Sequence, residues 1–392
     1  VSSAASDVYK RQLKGGCVEL LNSGQYRIAS TITIPNGVIL RGKIELPGKF
    51  TDGASGTSAF NLIGSTLFLA STATINIESG AGLRSINIVR YGMAFPSTNA
   101  AAYAGTAITV TGADAYVGYC SITGFNKGIY CNGYPRPHFE WLYMDNNNGI
   151  ELTNVGDMAR LVNIHMWPFG VNPSGSTTNY HRSGNAFYIH DHVDALISNC
   201  FAYGYLNGFY FSNITTVACS NCDSDNTKAY TGSVGWRFET NINGFQATCC
   251  YAWSSDIGIY INTAAKQLVP ITNFYVGGVT SIGIVVDGGY TNISGCYFTG
   301  LNLNVLQLNS TSSVVHFDNN TITNAAAGPP IETTVDTNTL FVGNNNVVMS
   351  PTTGTLVKGS GVYSVFDEIP SAATIEPRVW DKGLLITGTT NI

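Results

Sequence analysis

Two carboxylates stand two residues apart in the run SNCDSDNT: Asp223 and Asp225. On an extended strand, residues i and i+2 project from one face with Cα atoms about 6.5–7 Å apart. Paired carboxyl groups can serve as general acid and general base, and a separation of roughly 6.5–9.5 Å leaves room for the water that an inverting glycoside hydrolase activates. The plainer reading of an Asn/Asp-rich run is a turn whose side chains cap the backbone. A second reactive set comprises Tyr188, His190, Tyr210, Arg237 and Glu239. Tyr or His taking a C5 proton, with Arg neutralising a uronate carboxylate, is β-elimination chemistry. Glu239 could instead join another acid in hydrolysis, or form an ordinary surface ion pair with Arg237, which would be worth little. Metal binding is suggested by His190-Asp191-His192 and by Cys219-x-x-Cys222 with Cys249 and Cys250. Strand neighbours point to opposite sides, however, and the spacing forces no third ligand. No metal and no cofactor is expected.

These side chains need elements to hold them, and the sequence supplies a repeat. A short strand signature, usually opened by Gly, recurs from Gly105, Gly128, Gly149, Gly184, Gly208, Gly235, Gly258 and Gly283, mostly 21–27 residues apart. The interval from Gly149 to Gly184 is 35, so a loop of about a dozen residues, within Pro168 to Ser183, is inserted there. A second strand lies between these: VGYCSIT, LVNIHMW, LISNCFAY, VACSNCDSD, FQATCCYAW and ISGCYFT. Alternation in both is period two. The length is wrong for propeller blades and the leucine-rich consensus is absent. The expected fold is all-β, a right-handed parallel β-helix with coils stacked at about 4.8 Å.

Aligning the second strand predicts an interior column of Cys120, Ile164, Cys200, Cys222, Cys250 and Cys296. The next residue then faces out: Ser121, His165, Phe201, Asp223, Tyr251 and Tyr297, followed two residues on by Thr123, Trp167, Tyr203, Asp225, Trp253 and Thr299. Carboxylates flanked by aromatics suit a glycan, whose rings stack on aromatic faces while hydroxyls bond to acids. His165, Trp167, Phe201, Tyr203, Tyr251 and Trp253, with Arg182 and Glu151, are the expected substrate-binding residues. Exposed aromatics that merely cover the solenoid or meet a partner subunit are the bland alternative. The inserted loop is placed to wall a cleft.

Composition agrees. Only 11 % of the 392 residues are charged and the net charge is −5, so the surface is polar without being ionic. No basic patch is available for nucleic-acid phosphates, and no apolar run is long enough to span a membrane. Nine cysteines in so long a chain read as reduced and mostly buried.

The opening coil GGCVELLNSGQYRIASTITIPNGVILRG, Gly15 to Gly42, resembles the entry of pectate-lyase-like bacteriophage tailspikes. HMWPFG and GNAFYIHDHVDALISNCFAYGYLNGFYFSN resemble the centre of tailspikes and tail-fibre depolymerases. The resemblance covers residues 15–340. It implies a homotrimer on the virion tail that acts extracellularly and cuts bacterial surface polysaccharide. Residues 1–14 read as a non-native leader, of the kind left by a sequencing adapter in metagenome-derived chains, or as disordered. Residues 341–392, punctuated by Pro351, Pro370 and Pro377, read as a short C-terminal β cap or oligomerisation segment, and the chain as a fragment.

Three functions stay open on the residues: a hydrolase using the acid pair, a lyase using the Tyr/His/Arg face, and a non-catalytic glycan-binding fibre module. Between residues 140 and 300 the only cations are Arg160, Arg182, Lys228, Arg237 and Lys266, fewer than a densely anionic polymer would call for, which favours hydrolysis.

Overall fold

The computed structural model describes residues 15–21, 24–44, 63–93, 102–170, 180–226, 230–264, 267–323, 331–334, 339–342, 346–349, 357–359 and 362–365. The expected leader, most of the inserted loop and the last residues of the expected C-terminal cap lie outside the described residues. The chain divides into two compact units, residues 1–222 and 223–392. Each is a stretch of right-handed parallel β-helix.

In the first unit, strands pair in parallel with their counterparts one coil on. Ile108, Ile129, Ile150, Phe187 and Phe209 share one register position and are buried. The last two rings stack at 4.6 Å with planes 3° apart. One residue on, Thr109, Tyr130, Glu151, Tyr188 and Tyr210 form the facing-out column. Period-two alternation thus becomes a dry interior on one side and a chemical surface on the other, with each buried Ile or Phe worth roughly 1.5–3 kcal/mol.

A corner residue sets the phase of the second strand. Ser85, Tyr119, Trp141, Asn163, Asn199 and Asn221 adopt left-handed backbone, with φ between 51° and 58°. Asn tolerates this region better than most residues, and the Asn199 amide donates to Asn163 Oδ1 at 3.2 Å. The residue after each corner points inward, which buries Cys120, Ile164, Cys200 and Cys222 as the alignment predicts.

In the second unit, the coils described in full have three strands. Ile257–Thr263, Leu268–Thr272 and Tyr275–Gly277 pair with Ile282–Gly288, Tyr290–Ser294 and Tyr297–Thr299. Trp236, Ile259, Ile284, Leu306 and Ile331 form the inner column. Cys249, Asn273, Gly295 and Asn319 hold the left-handed corner. Cys249 is therefore exposed while Cys250 and Cys296 are buried. Pairing in register runs on past residue 340 to Val362–Val365, which lies against Thr339–Val342.

Candidate active site

Asp223 and Asp225 lie on the strand Asp223–Asp225 of the second unit, with Ser224 buried between them. Both carboxyls face out yet are half-buried. Burial pushes the Asp223 carboxyl up to about 6, and one of its oxygens, Oδ1, is enclosed with no hydrogen-bond partner. Burial pushes Asp225 up to about 7, with the Asp223 charge adding to the rise; the Asn226 N–H, donating to Asp225 Oδ1 at 2.6 Å, partly opposes it. Two acids whose proton affinities straddle pH 6–7 can be divided at that pH into one donor and one base.

The next coil sets aromatics beside them in register, Asp223 against Tyr251 and Asp225 against Trp253. Tyr251, Tyr275 and Tyr297 continue the column, with ring centroids 5.7 and 5.2 Å apart. Trp253 pairs with Gly277, and this glycine is required: a Cβ there would come within 2.3 Å of the indole. At Gly278 a Cβ would lie 3.3 Å from the same ring. The indole therefore rests on bare backbone, with 37 % of the residue exposed. Gly277→Ala is expected to lift Trp253 off this seat, visible as a red shift of its emission with little change in fold; an unchanged spectrum would contradict the seating. Tyr275 and the glycine pair escape the sequence alignment because their coil, FYVGG, has neither the Cys nor the long flanks of the other second strands.

Glu239 and Arg237, on Val234–Ile242 of the same unit, point to one side and bind each other, with Arg237 Nε and Nη2 donating to Glu239 Oε1 at 2.8 and 2.5 Å. Arg237 also lies 4.9 Å over the Tyr260 ring. The two thus take the ion-pair arrangement that the sequence offered as one of their readings.

The first unit holds the other predicted residues. His165, Phe201, Trp167 and Tyr203 form one aromatic cluster: His165 is 4.8 Å from Phe201, and Trp167 stacks on Tyr203 at 4.3 Å. Tyr143 and Phe169, absent from the alignment, complete it at 6.1 and 5.6 Å from His165. Tyr188 stacks on His190 at 4.0 Å and on Tyr210 at 4.7 Å. His190 Nδ1 is 2.7 Å from Asp191 Oδ2, and Nε2 is 3.5 Å from Glu151 Oε1. Glu151 is held in turn by Lys127 at 2.6 Å.

Burial alone would lower the His190 pKa, but the two carboxylates reverse this and raise it. The imidazolium is thus favoured in the folded protein. Its stabilising contribution is expected to be full below the unfolded value of about 6.5 and to fade as pH rises through the elevated folded value. Histidine ring NMR should show one late-titrating resonance, lost in His190→Gln.

Arg182 does not bind substrate. Its side chain is 1 % exposed and its guanidinium donates to Asp145 Oδ1 through Nε at 3.0 Å and Nη2 at 2.5 Å. The register of its strand shifts between Arg182 and Asn185, which breaks the parity that alternation assumes. Asp145 also accepts from Tyr103 Oη at 3.2 Å and the Gly170 N–H at 2.7 Å, so one buried carboxylate secures both flanks of the inserted loop.

The fold and site together define a parallel β-helix with an acid pair beside surface aromatics. No protein-family profile matches the chain, and no curated relative does. Among solved structures, it is similar to a lidless DFA-IIIase from Arthrobacter chlorophenolicus A6 (10 % identity, TM-score 0.49, covering 93 % of this chain and 94 % of that one). It is similar to the tailspike gp49 of Acinetobacter baumannii bacteriophage Fri1, a capsular polysaccharide depolymerase (13 %, TM-score 0.39, 94 % of this chain and 58 % of that one). It is also similar to the catalytic unit of a GH87 α-1,3-glucanase from Streptomyces thermodiastaticus (13 %, TM-score 0.44, 92 % and 64 %).

Proposed function

We propose that the chain hydrolyses a polysaccharide within its chain, using Asp223 and Asp225 as the acid–base pair and Tyr251, Trp253 and Tyr275 to seat the sugar. The observation that carries this reading is the coincidence, on one three-residue strand, of two half-buried carboxyls pushed up to about 6 and about 7, register-paired with Tyr251 and Trp253. Asp225, holding its proton to higher pH, donates to the departing glycosidic oxygen. Asp223, ionised, takes a proton from the water that attacks the anomeric carbon. The glycosidic C–O bond breaks as the water C–O bond forms, and two hydroxyls result. The aromatic cluster around His165 and Trp167 in the first unit offers further sugar-stacking surface. The reading includes extracellular action at a bacterial surface, as a trimeric module of a phage tail, and light scattering of the purified chain tests the trimer.

A second reading, β-elimination, is favoured by Tyr188, His190 and Tyr210 standing as one stack. Digestion of a panel of bacterial exopolysaccharides separates the two. New reducing ends without ultraviolet absorbance of an unsaturated uronate support hydrolysis; both signals rising together support elimination. Binding without any cutting leaves a fibre module that only holds glycan.

A further inference from the structure

The left-handed corner of the first unit changes character part-way along. Asn163, Asn199 and Asn221 fill it in the later coils, and Asn suits that backbone. Tyr119 and Trp141 fill it in two earlier coils, at φ 56° and 51°. Bulky side chains are uncommon in this region, and such outliers gather where function holds them. The corner thus passes from large rings to small amides between one coil and the next.

The rings form a stack closed at one end. Coil order runs Arg84, Tyr119, Trp141, Asn163, through the strands Gly82–Arg84, Tyr116–Gly118, His138–Asp145 and Ala159–Met166. Arg84 lies 4.6 Å over the Tyr119 ring, and Tyr119 stacks on Trp141 at 6.2 Å with planes 17° apart. The far face of the indole is turned toward the Asn163 coil, whose corner side chain is too short to cover it, and Trp141 is 41 % exposed.

Asn163 and Asn199 floor this step. The Asn199 amide donates to Asn163 Oδ1 at 3.2 Å, which leaves the Asn163 N–H groups to donate and Asn199 Oδ1 to accept. Charged neighbours stand aside from it. Glu140 accepts from the Tyr116 hydroxyl at 2.7 Å and lies 3.8 Å from His138 Nε2, and Arg160 keeps to the register position of His138.

We propose that the step binds one uncharged pyranose of a glycan. Trp141 takes a C–H face of the ring, and the Asn163 and Asn199 amides take hydroxyls along its rim. An Asn would suit this corner as Asn163 and Asn199 do, so the indole is there for what it faces. The site uses neither the acid pair nor the Tyr188–His190 stack, and it stands or falls independently of hydrolysis.

Fluorine NMR of the full chain labelled with fluorotryptophan tests it. The chain has five tryptophans, and the resonance lost in Trp141→Asn belongs to this site. Cello-, xylo- and manno-oligosaccharides are the neutral probes and oligogalacturonate the acidic one. At least one neutral probe is expected to move the Trp141 resonance saturably. Asn163→Asp keeps a residue that tolerates left-handed backbone but gives up the amide donor, and should weaken that titration by about fivefold. Asp225→Asn should leave it unchanged, and Trp141→Asn should unfold at a midpoint no lower than the parent. A resonance that no neutral probe moves, or that oligogalacturonate alone moves, would overturn the proposal. So would parental titration of Asn163→Asp, or loss of titration in folded Asp225→Asn, which would move the sugar to the acid pair. A lower midpoint for Trp141→Asn would make the ring a packing residue and overturn it as well.

Discussion

Asp225→Asn is expected to cut the rate of glycan cleavage by about 10²–10⁴-fold, the usual contribution of a general acid, and to make the protein more stable at neutral pH. The two effects share one cause. Burial raises the proton affinities of Asp223 and Asp225 to about 6 and about 7, from an ordinary carboxyl value of 3.8. A carboxyl whose folded pKa is raised binds more protons folded than unfolded, so stability falls as pH climbs through that window. Well below the unfolded value of 3.8 both states are protonated and the pair costs nothing; well above the folded value of about 7 the cost is complete and constant. Allowing for partial solvent screening, the pair together costs on the order of 1–3 kcal/mol. Asn keeps the shape and never ionises. Denaturant melts of parent, Asp223→Asn and Asp225→Asn should therefore converge as pH falls below the ordinary carboxyl value of 3.8 and separate near pH 8, with the variants the more stable. Inactive variants that are no more stable at high pH would mean that the acids are not poised by burial. Full activity in both would exclude them from the chemistry.

Asp145→Ala is expected to be among the most destabilising single changes in the first unit, costing about 3–5 kcal/mol by leaving the buried Arg182 charge without its partner. The loss should exceed the worth of the pair itself. Removing both ends together, as in Asp145→Leu with Arg182→Met, should recover much of the loss, because similar apolar volume can replace a buried pair at little net cost. The carboxylate also takes the Tyr103 hydroxyl and the Gly170 N–H, so Asp145→Asn should be intermediate. Chemical denaturation of the four proteins reads this directly; equal midpoints for Asp145→Ala and the parent would mean that the guanidinium finds water instead.

Much of the fold was legible because a narrow solenoid repeats its constraints. The Cys column was readable since each cysteine follows a corner and must point inward, and the same parity correctly turned Asp223, Asp225, Tyr251 and Trp253 outward. Tyr143 and Tyr275 were missed because HFEWLYMD and FYVGG place other residues at the column position, leaving nothing to align on. Arg182 was expected to bind substrate, and nothing in the run YHRSGN signals that its guanidinium turns inward to Asp145, a direction that goes with the register shift between Arg182 and Asn185. Arg237 and Glu239 were seen on one face, but alternation cannot distinguish two groups that serve a ligand from two that satisfy each other.

The left-handed corner has a consequence for how such a chain can change. In an ordinary strand, one inserted residue inverts every side chain beyond it. Here the phase error dies at the next corner, because the backbone there resets which residue turns inward. The interval from Gly149 to Gly184 shows a related tolerance in the connection between strands: about a dozen extra residues intervene there, and Glu151 still pairs with Tyr188 and Thr153 with His190. Length is thereby uncoupled from address. Loops can be lengthened or traded at the rims while each surface column keeps its place, so new ligand contacts can be tried without rewriting the core that displays them.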